Sequence, residues 1–185
     1  MSILPSIPSR TEQIEAILAP YFTCTLPEGA ARDAFFMTAA LALAKYAASA
    51  GEVPVGCVIA RGGTLIAGEC NARESRRDPL WHAESAAIER ASEILGGWRL
   101  TGCTLYVTLE PCPMCAGAIW NARVPRVVIG AKDPRAGAMG SLLNLASYPL
   151  NHRPAVTFGV RERDCAEALR AFFADRREKH IQNEE

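Results

Sequence analysis

Two short segments about thirty residues apart constrain the fold of this chain most strongly. Residues 82–84 read His-Ala-Glu, and residues 111–115 read Pro-Cys-Pro-Met-Cys. A catalytic zinc ion takes three protein ligands and keeps a fourth position for water. His82, Cys112 and Cys115 are suitable ligands, because two cysteines three residues apart at a helix start lie on one face. The chain must therefore fold so that the two segments meet.

Apolar periodicity and turn residues predict an alternation of helices and strands along the chain. Helices are expected over residues 10–18, 34–50, 82–95, 112–121 and 164–179, with a short helix over 142–147. Strands are expected over residues 55–60, 64–68, 104–109, 127–130 and 155–160. Asp33 and Asp164 are predicted to cap two of the helices. This order predicts a three-layer α/β/α domain with a five-stranded mixed sheet.

The length of 185 residues favours one folded domain, predicted over residues 31–180. Residues 1–30 form an N-terminal extension of unknown role, either flexible or used for packing or a dimer contact. Residues 181–185 are expected to fray. The formal net charge is zero, so any basic surface for nucleic acid must be local.

Cysteine usage and hydropathy indicate the compartment. The seven cysteines are odd in number and include one C-x-x-C pair, which argues against a disulfide framework. No apolar run reaches the 18 residues of a membrane span, and the N-terminus does not resemble a secretory signal. We therefore expect a cytoplasmic protein that has no membrane partner.

Glu84 lies two residues after His82, close enough to share a metal-bound water, and is predicted to be the general acid and base. A structural zinc site would need a fourth cysteine or histidine. Cys57, Cys70 and Cys103 lie on or beside predicted strands and are expected to pack in the core. A redox pair would leave His82 and Glu84 unexplained.

The H-x-E…P-C-x-x-C pattern is the known signature of zinc nucleobase deaminases. Over residues 34–177, the chain resembles the bacterial tRNA-specific adenosine deaminases of the cytidine deaminase-like superfamily. The resemblance rests on residues 52–56, 78–84, 105–118, 137–142 and 151–153, and on Phe172-Phe173 with Arg176-Arg177. The last three of these motifs resemble the tRNA-editing branch rather than the enzymes that act on free bases.

This resemblance implies a cytidine deaminase-like fold and one Zn²⁺ per subunit, held by His82, Cys112 and Cys115. It implies hydrolysis of adenosine to inosine at wobble position 34 in the anticodon stem-loop of tRNA. Water activated by the zinc ion would attack C6, Glu84 would shuttle protons, and ammonia would leave. The resemblance also implies a homodimer.

Further residues match or border family positions that contact the substrate. They are Val53, Pro54, Asn71, Trp81, Asp133, Asn151 and Arg153. Arg76 and Arg77 are further candidates for substrate contact because of their charge. Ordinary structural roles compete: Asn71 and Asn151 suit turns, Val53 and Pro54 suit packing before a strand, and Asp133 suits a loop. Trp81, bulkier than the small residue usual there, could narrow the pocket, stack on a base or pack in the core. The residues of the Phe-Phe and Arg-Arg pairs are either RNA contacts or ordinary core and surface positions.

Two groups of basic residues are expected to flank the mouth of the site. One group is Arg73, Arg76 and Arg77, and the other is Arg123, Arg126, Lys132 and Arg135. Two other functions remain open from the residues. One is a deaminase of guanine, cytosine or a free nucleoside, and the other is a zinc-stabilised binding module without catalysis.

Overall fold

The structure is a computed structural model that describes residues 8–182. Its sheet has five strands: β1 (Gly56–Arg61), β2 (Thr64–Cys70), β3 (Cys103–Leu109), β4 (Arg126–Ala131) and β5 (Ala155–Phe158). The spatial order is β2-β1-β3-β4-β5. β1 is antiparallel to β2 and β3, whereas β4 is parallel to β3 and β5. The predicted five-stranded mixed sheet is confirmed.

The part of the chain that the structure describes contains six α-helices. They are α1 (Arg10–Leu18), α2 (Ala30–Ser49), α3 (Arg73–Arg76), α4 (Ala83–Leu95), α5 (Pro113–Asn121) and α6 (Glu162–Gln182). α1, α2 and α6 pack on one face, while α4 and α5 pack on the other. The three-layer arrangement is therefore confirmed. Of the predicted terminal segments, residues 1–7 and 183–185 lie outside the described residues.

The central strands are buried on both faces, as expected for strands covered by helices on each side. In β3, Leu105 and Val107 face the helices α4 and α5, whereas Tyr106 packs against Phe36 of α2. None of the helices in the described chain is long and apolar enough to span a membrane.

Helix α2 lies unusually close to the start of β1. A Cβ atom added to Gly56 would lie 2.0 Å from the carbonyl oxygen of Ala40 and 2.7 Å from the backbone nitrogen of Ala44. Only glycine permits this approach. The buried alanines of α2 make the same contact possible from the helix side.

The N-terminal segment packs on the β1–β2 hairpin. A capping box between Ser9 and Glu12 begins α1, whose Ile14 and Leu18 are buried in the core. Further along, the backbone nitrogen of Cys24 donates a hydrogen bond to the Gly63 carbonyl at the hairpin turn. The residues from α1 to Cys24 therefore stabilise the edge of the sheet at the β1–β2 hairpin. Nothing in their contacts assigns them a further role.

The predicted cap of α2 is wrong. The helix begins at Ala30, and the N-cap is Gly29, with φ +126°. Asp33 lies inside the first turn, where its buried carboxylate accepts two hydrogen bonds of 2.7 Å from Arg126. The side chain of Asp33 therefore binds Arg126, 93 residues away in the sequence, instead of capping the helix.

Three smaller expectations also need correction. Helix α6 begins at Glu162, so Asp164 lies in its first turn, where it pairs with Arg161. The predicted helix over 142–147 is a 3₁₀ turn over Leu145–Ser147. Between β2 and α4, where no helix is predicted, the chain forms the one-turn helix α3.

Candidate metal and substrate site

The site forms where two helices begin beside the carboxyl end of β3. Strand β3 leads through Glu110 and Pro111 to Cys112, which is the N-cap of α5. His82 is the N-cap of α4, and its side chain reaches the two cysteines. Pro113 occupies the first position of α5, where a missing N–H group costs no hydrogen bond. The N-terminal ends of α4 and α5 therefore meet at one point.

The three predicted ligand atoms have the spacing of a tetrahedral zinc site. The Sγ atoms of Cys112 and Cys115 lie 3.7 and 3.6 Å from Nδ1 of His82. Bonds of about 2.3 Å to sulfur and about 2.0–2.1 Å to nitrogen at tetrahedral angles place these atoms about 3.6 Å apart. Within residues 8–182 this is the one cluster of three or more potential metal ligands. The residues therefore fit a zinc ion with an open fourth position.

Contacts within the triad favour the charged thiolate of Cys112, whereas the hydrogen bond to Cys112 and burial raise the pKa of Cys115. A hydrogen bond from Cys115, followed by one from His82, lowers the pKa of Cys112 to about 4. The hydrogen bond to Cys112 raises the pKa of His82 in turn. Thiolate is the form of cysteine that binds metal, so Cys112 is prepared for this role at neutral pH.

Glu84 lies in the first turn of α4, and only 4% of its surface is exposed. It lines the same cavity as His82 and Cys112, about 170 Å³ in volume. Burial raises the pKa of Glu84 to about 7. A carboxyl group with a pKa near neutral can both accept and donate a proton under physiological conditions, as a general acid–base catalyst must.

Asn71 and Glu52 form one wall of the site. Asn71 lines the cavity, and its Nδ2 donates a hydrogen bond of 3.1 Å to Oε2 of Glu52. The same carboxylate accepts hydrogen bonds from the backbone nitrogens of Glu74 (3.2 Å) and Ser75 (2.7 Å) in α3. Burial opposes the charged form of Glu52, but the hydrogen bonds from Ser75 and Glu74 outweigh it and lower its pKa. Glu52 was not predicted from the sequence.

Glu110 holds the opposite wall. Its buried carboxylate accepts hydrogen bonds from the backbone nitrogens of Asp133, Met139 and Ser141, and from the Ser141 hydroxyl. Burial opposes its charged form, yet the hydrogen bonds from Ser141, Asp133 and Met139 lower its pKa. Gly137 packs directly on this carboxylate, since an added Cβ would lie 2.5 Å from Cδ of Glu110. Sequence analysis missed Glu110 as well.

The structure brings several of the predicted substrate residues to the cavity. Val53, Asn71 and Asp133 line it, together with Arg73 of the first basic group. Asp133 also closes a local turn, because its Oδ1 accepts hydrogen bonds from the backbone nitrogens of Arg135 and Ala136. Its turn role and its position at the cavity therefore coexist.

Other predicted residues do not line the cavity. Pro54 is buried and faces a separate groove between α2 and α6. The guanidinium carbon of Arg76 lies 3.5 Å from the centre of the Trp81 ring, so a cation–π contact covers one face of the indole. Arg77 is exposed at the end of α3. Contact of these residues with RNA stays a prediction.

Asn151 and Arg153 are exposed and also stay outside the cavity. His152, between them, makes a 2.7 Å hydrogen bond to the carbonyl of Val124, which precedes β4. The segment therefore lies near the beginning of β4, whereas the ligands cluster beyond the end of β3.

The second basic group does not flank the site as a unit. Arg126 begins β4 and pairs with Asp33, and Arg123 packs its guanidinium over Trp120. Lys132 and Arg135 follow the other end of the strand. Because six strand residues span about 20 Å, the two halves of this group lie at opposite ends of β4. The prediction is wrong for Arg123 and Arg126.

Phe172 is buried where α6 packs on the domain, and it forms an edge-to-face pair with the half-exposed Phe173. Cys57, Cys70 and Cys103 are buried free cysteines outside the ligand cluster. Their predicted role as core residues is confirmed.

Comparisons with known proteins agree with this site. A family model described as the cytidine and deoxycytidylate deaminase zinc-binding region matches residues 30–131. The tRNA-specific adenosine deaminase of Bacillus subtilis is 47% identical over 80% of this chain and 92% of its own length.

Two solved structures extend the comparison. One, from a study of A-to-I editing by tRNA:A34 deaminases at the wobble position, shares 45% identity with a TM-score of 0.71, covering 72% of this chain and 98% of its own. A guanine deaminase from Nitrosomonas europaea covers 94% of this chain and 97% of its own with a TM-score of 0.66. At 23% identity it shares the fold alone. The chain therefore belongs to the cytidine and deoxycytidylate deaminase family, and within it to the tRNA-specific adenosine deaminases.

Proposed function

We propose that this chain is a zinc-dependent deaminase that converts adenosine 34 of tRNA into inosine. The observation that carries the proposal is the cluster of His82, Cys112 and Cys115 at zinc spacing, next to a small cavity that the buried carboxyl group of Glu84 lines. The 47% identity to a tRNA-specific adenosine deaminase supports tRNA as the substrate class.

The chemistry consumes one water molecule and releases one ammonia molecule for each adenosine. His82, Cys112 and Cys115 would hold the zinc ion, which acts as a Lewis acid and lowers the pKa of bound water. Glu84 accepts the proton that water loses as its oxygen attacks C6 of the adenine. Glu84 delivers this proton to the ring nitrogen. It then accepts the proton of the hydroxyl group formed on C6 and delivers it to the departing amine, which leaves as ammonia. Its pKa of about 7 suits both directions of transfer.

The cavity itself contributes orientation and exclusion of water. Val53 and Val55 provide an apolar part of its lining, and Asn71 provides a polar side chain that can form hydrogen bonds. A volume of about 170 Å³ suits one base that has left the stack of its neighbours. An anticodon loop presents its bases unpaired, which lowers the cost of moving one into the site.

The remaining expectations belong to the same proposal: one zinc ion per subunit, a homodimer, an anticodon stem-loop as minimal substrate, and a cytoplasmic location. Exposed large apolar side chains between β4 and β5 support a second copy of the chain as the partner. They are Leu142, Leu143 and Tyr148. Metal analysis of the purified protein tests the zinc content, and light scattering tests the homodimer.

A direct assay compares two classes of substrate. The purified protein is incubated with an anticodon stem-loop carrying adenosine at position 34, and separately with guanine, cytosine and adenosine. We expect inosine in the stem-loop and no ammonia from the free compounds. Ammonia release from a free base without inosine in the stem-loop would identify a small-molecule deaminase instead.

A further inference from the structure

Glu52 is a buried carboxylate with an unusual set of partners. Only 1% of its surface is exposed, and none of the ion pairs in the described chain includes it. Its three hydrogen bonds come from the Asn71 side chain and from the backbone of Glu74 and Ser75. A buried charge is costly, so its position beside a cavity-lining side chain calls for an explanation beyond packing.

The carboxylate determines which way the Asn71 amide points. An ionised carboxylate only accepts hydrogen bonds, so the NH₂ group of Asn71 must face Glu52 and the carbonyl oxygen must face away. That oxygen, Oδ1, accepts no hydrogen bond from residues 8–182. It is also absent from the fully buried, unpartnered polar atoms of the same residues. Because Asn71 is only 7% exposed and lines the cavity, its accessible oxygen faces the cavity.

We propose that Glu52 is a positioning residue that fixes the Asn71 amide, so that the cavity presents a carbonyl oxygen to a hydrogen-bond donor of the substrate. This inference rests on the proposed function and deepens it. Asn71 would select substrates that place an N–H or O–H group opposite its oxygen. Without Glu52, the amide could rotate by 180° and present its NH₂ group, which repels such a donor.

Glu110 offers a matched control. It is also buried, also beside the cavity, and also satisfied by backbone N–H groups, but its partners lie on the opposite wall and do not include Asn71. Loss of either carboxylate weakens a wall of the site. Only the loss of Glu52 should act through Asn71.

The test is a pair of double-mutant cycles on the zinc-loaded enzyme, read as kcat/KM for inosine formation in the stem-loop. Glu52→Gln and Asn71→Ala should each lower kcat/KM by about tenfold to hundredfold. The kcat/KM of the double variant should be no more than about threefold below that of the less active single variant. Both substitutions remove the same oriented Asn71 amide, so the second change has little left to remove. Glu110→Gln combined with Asn71→Ala should multiply the two single effects.

A reversed pair adds a rescue. Asn71→Asp alone places two carboxylates together and should lose activity, whereas Glu52→Gln in the same chain restores a donor between them. The new carboxylate would then turn its free oxygen to the cavity. We expect the double variant to exceed Asn71→Asp by at least about fivefold. Multiplicative loss of Glu52→Gln and Asn71→Ala, or absence of this rescue, would overturn the positioning role.

A measurement on the unsubstituted protein separates this proposal from the proposed function. The side-chain amide protons of Asn71 should exchange with solvent at least about tenfold more slowly than those of the exposed Asn121 and Asn144. Equal exchange rates would contradict the fixed amide even if a variant fails to fold. A wild-type enzyme inactive on the stem-loop but with protected Asn71 protons would refute the substrate and leave the positioning intact.

Discussion

At the scale of single residues, the site separates the work of holding metal from the work of moving protons. His82, Cys112 and Cys115 place their ligand atoms at tetrahedral spacing, and Glu84 is not part of that group. Burial raises the pKa of Glu84 to about 7. The same helix start thus supplies a ligand and, two residues later, a proton carrier.

Replacing Glu84 should remove catalysis without removing zinc. We expect Glu84→Ala to lower kcat by at least about 10²–10⁴-fold while zinc content, measured by atomic absorption, stays at the wild-type value. Glu89→Ala, an exposed position on the same helix, is the control and should retain full activity. Appreciable turnover by Glu84→Ala would contradict the role of Glu84 as the proton carrier.

The functional residues that could be predicted from the sequence are those that lie a few residues apart in a recognisable motif. The ligands and Glu84 lie within one helical turn of a helix start, so local pattern was sufficient for them. Glu52 and Glu110 were missed because their partners are mainly backbone N–H groups 22 to 31 residues away. Almost any residue can supply a backbone N–H group, so the residue types at the partner positions do not indicate that a carboxylate binds there.

At the scale of elements, two features place the site: close packing of α2 on β1, and loops anchored by buried carboxylates. Apolar periodicity and turn residues were sufficient to predict the sheet and the main helices. The starts of α2 and α6 were not, because Asp33 and Asp164 serve ion pairs with Arg126 and Arg161 instead of capping. A tertiary contact overrode the local capping preference at Asp33, and a local ion pair three residues apart replaced capping at Asp164.

The contact of α2 with β1 should be intolerant of one methyl group. Gly56→Ala would drive Cβ to 2.0 Å from the Ala40 carbonyl oxygen, so α2 must move away. We expect a loss of at least about 3 kcal/mol in the free energy of unfolding, measured by urea denaturation. Gly97→Ala has no atom within 4 Å of the added Cβ and should change stability by less than about 1 kcal/mol. Similar losses in both variants would argue against this packing.

The anchor at Glu52 should make stability depend on pH. Its pKa is lowered in the folded chain, so its stabilising effect is present above the unfolded pKa of about 4.3 and is lost as pH falls through the folded pKa. The gap in unfolding free energy between wild type and Glu52→Gln should therefore shrink between pH 6 and pH 3. Denaturation at several pH values measures it, and a gap independent of pH would contradict a charged anchor.

At the scale of the whole molecule, a net charge of zero coexists with an uneven distribution of basic residues. Arg73 lines the cavity, and Arg76 and Arg77 lie on the same short segment. Arg123 and Arg126 lie at the start of β4, which is the end of the strand away from the cavity. Composition could not reveal that these arginines lie far from the cavity, because their distance from it depends on the end of β4 at which each residue lies.

The arginines of the α3 segment should bind RNA rather than assist chemistry. We expect Arg76→Ala/Arg77→Ala to raise KM for the stem-loop about tenfold and to change kcat less than about threefold. The slope of log KM against log salt concentration should fall by about one to two. Arg123→Ala is the matched control and should leave KM unchanged. If the double variant keeps the wild-type KM, the segment does not belong to the RNA footprint.

The central claim is that one adenosine of tRNA is the substrate, and inosine mapping tests it most directly. Purified zinc-loaded enzyme is incubated with a full-length tRNA that carries A34, and reverse transcription reads each inosine as guanosine. We predict conversion at position 34 and at no other adenosine. Unmodified A34 under conditions in which the enzyme releases ammonia from guanine or cytosine would contradict the claim.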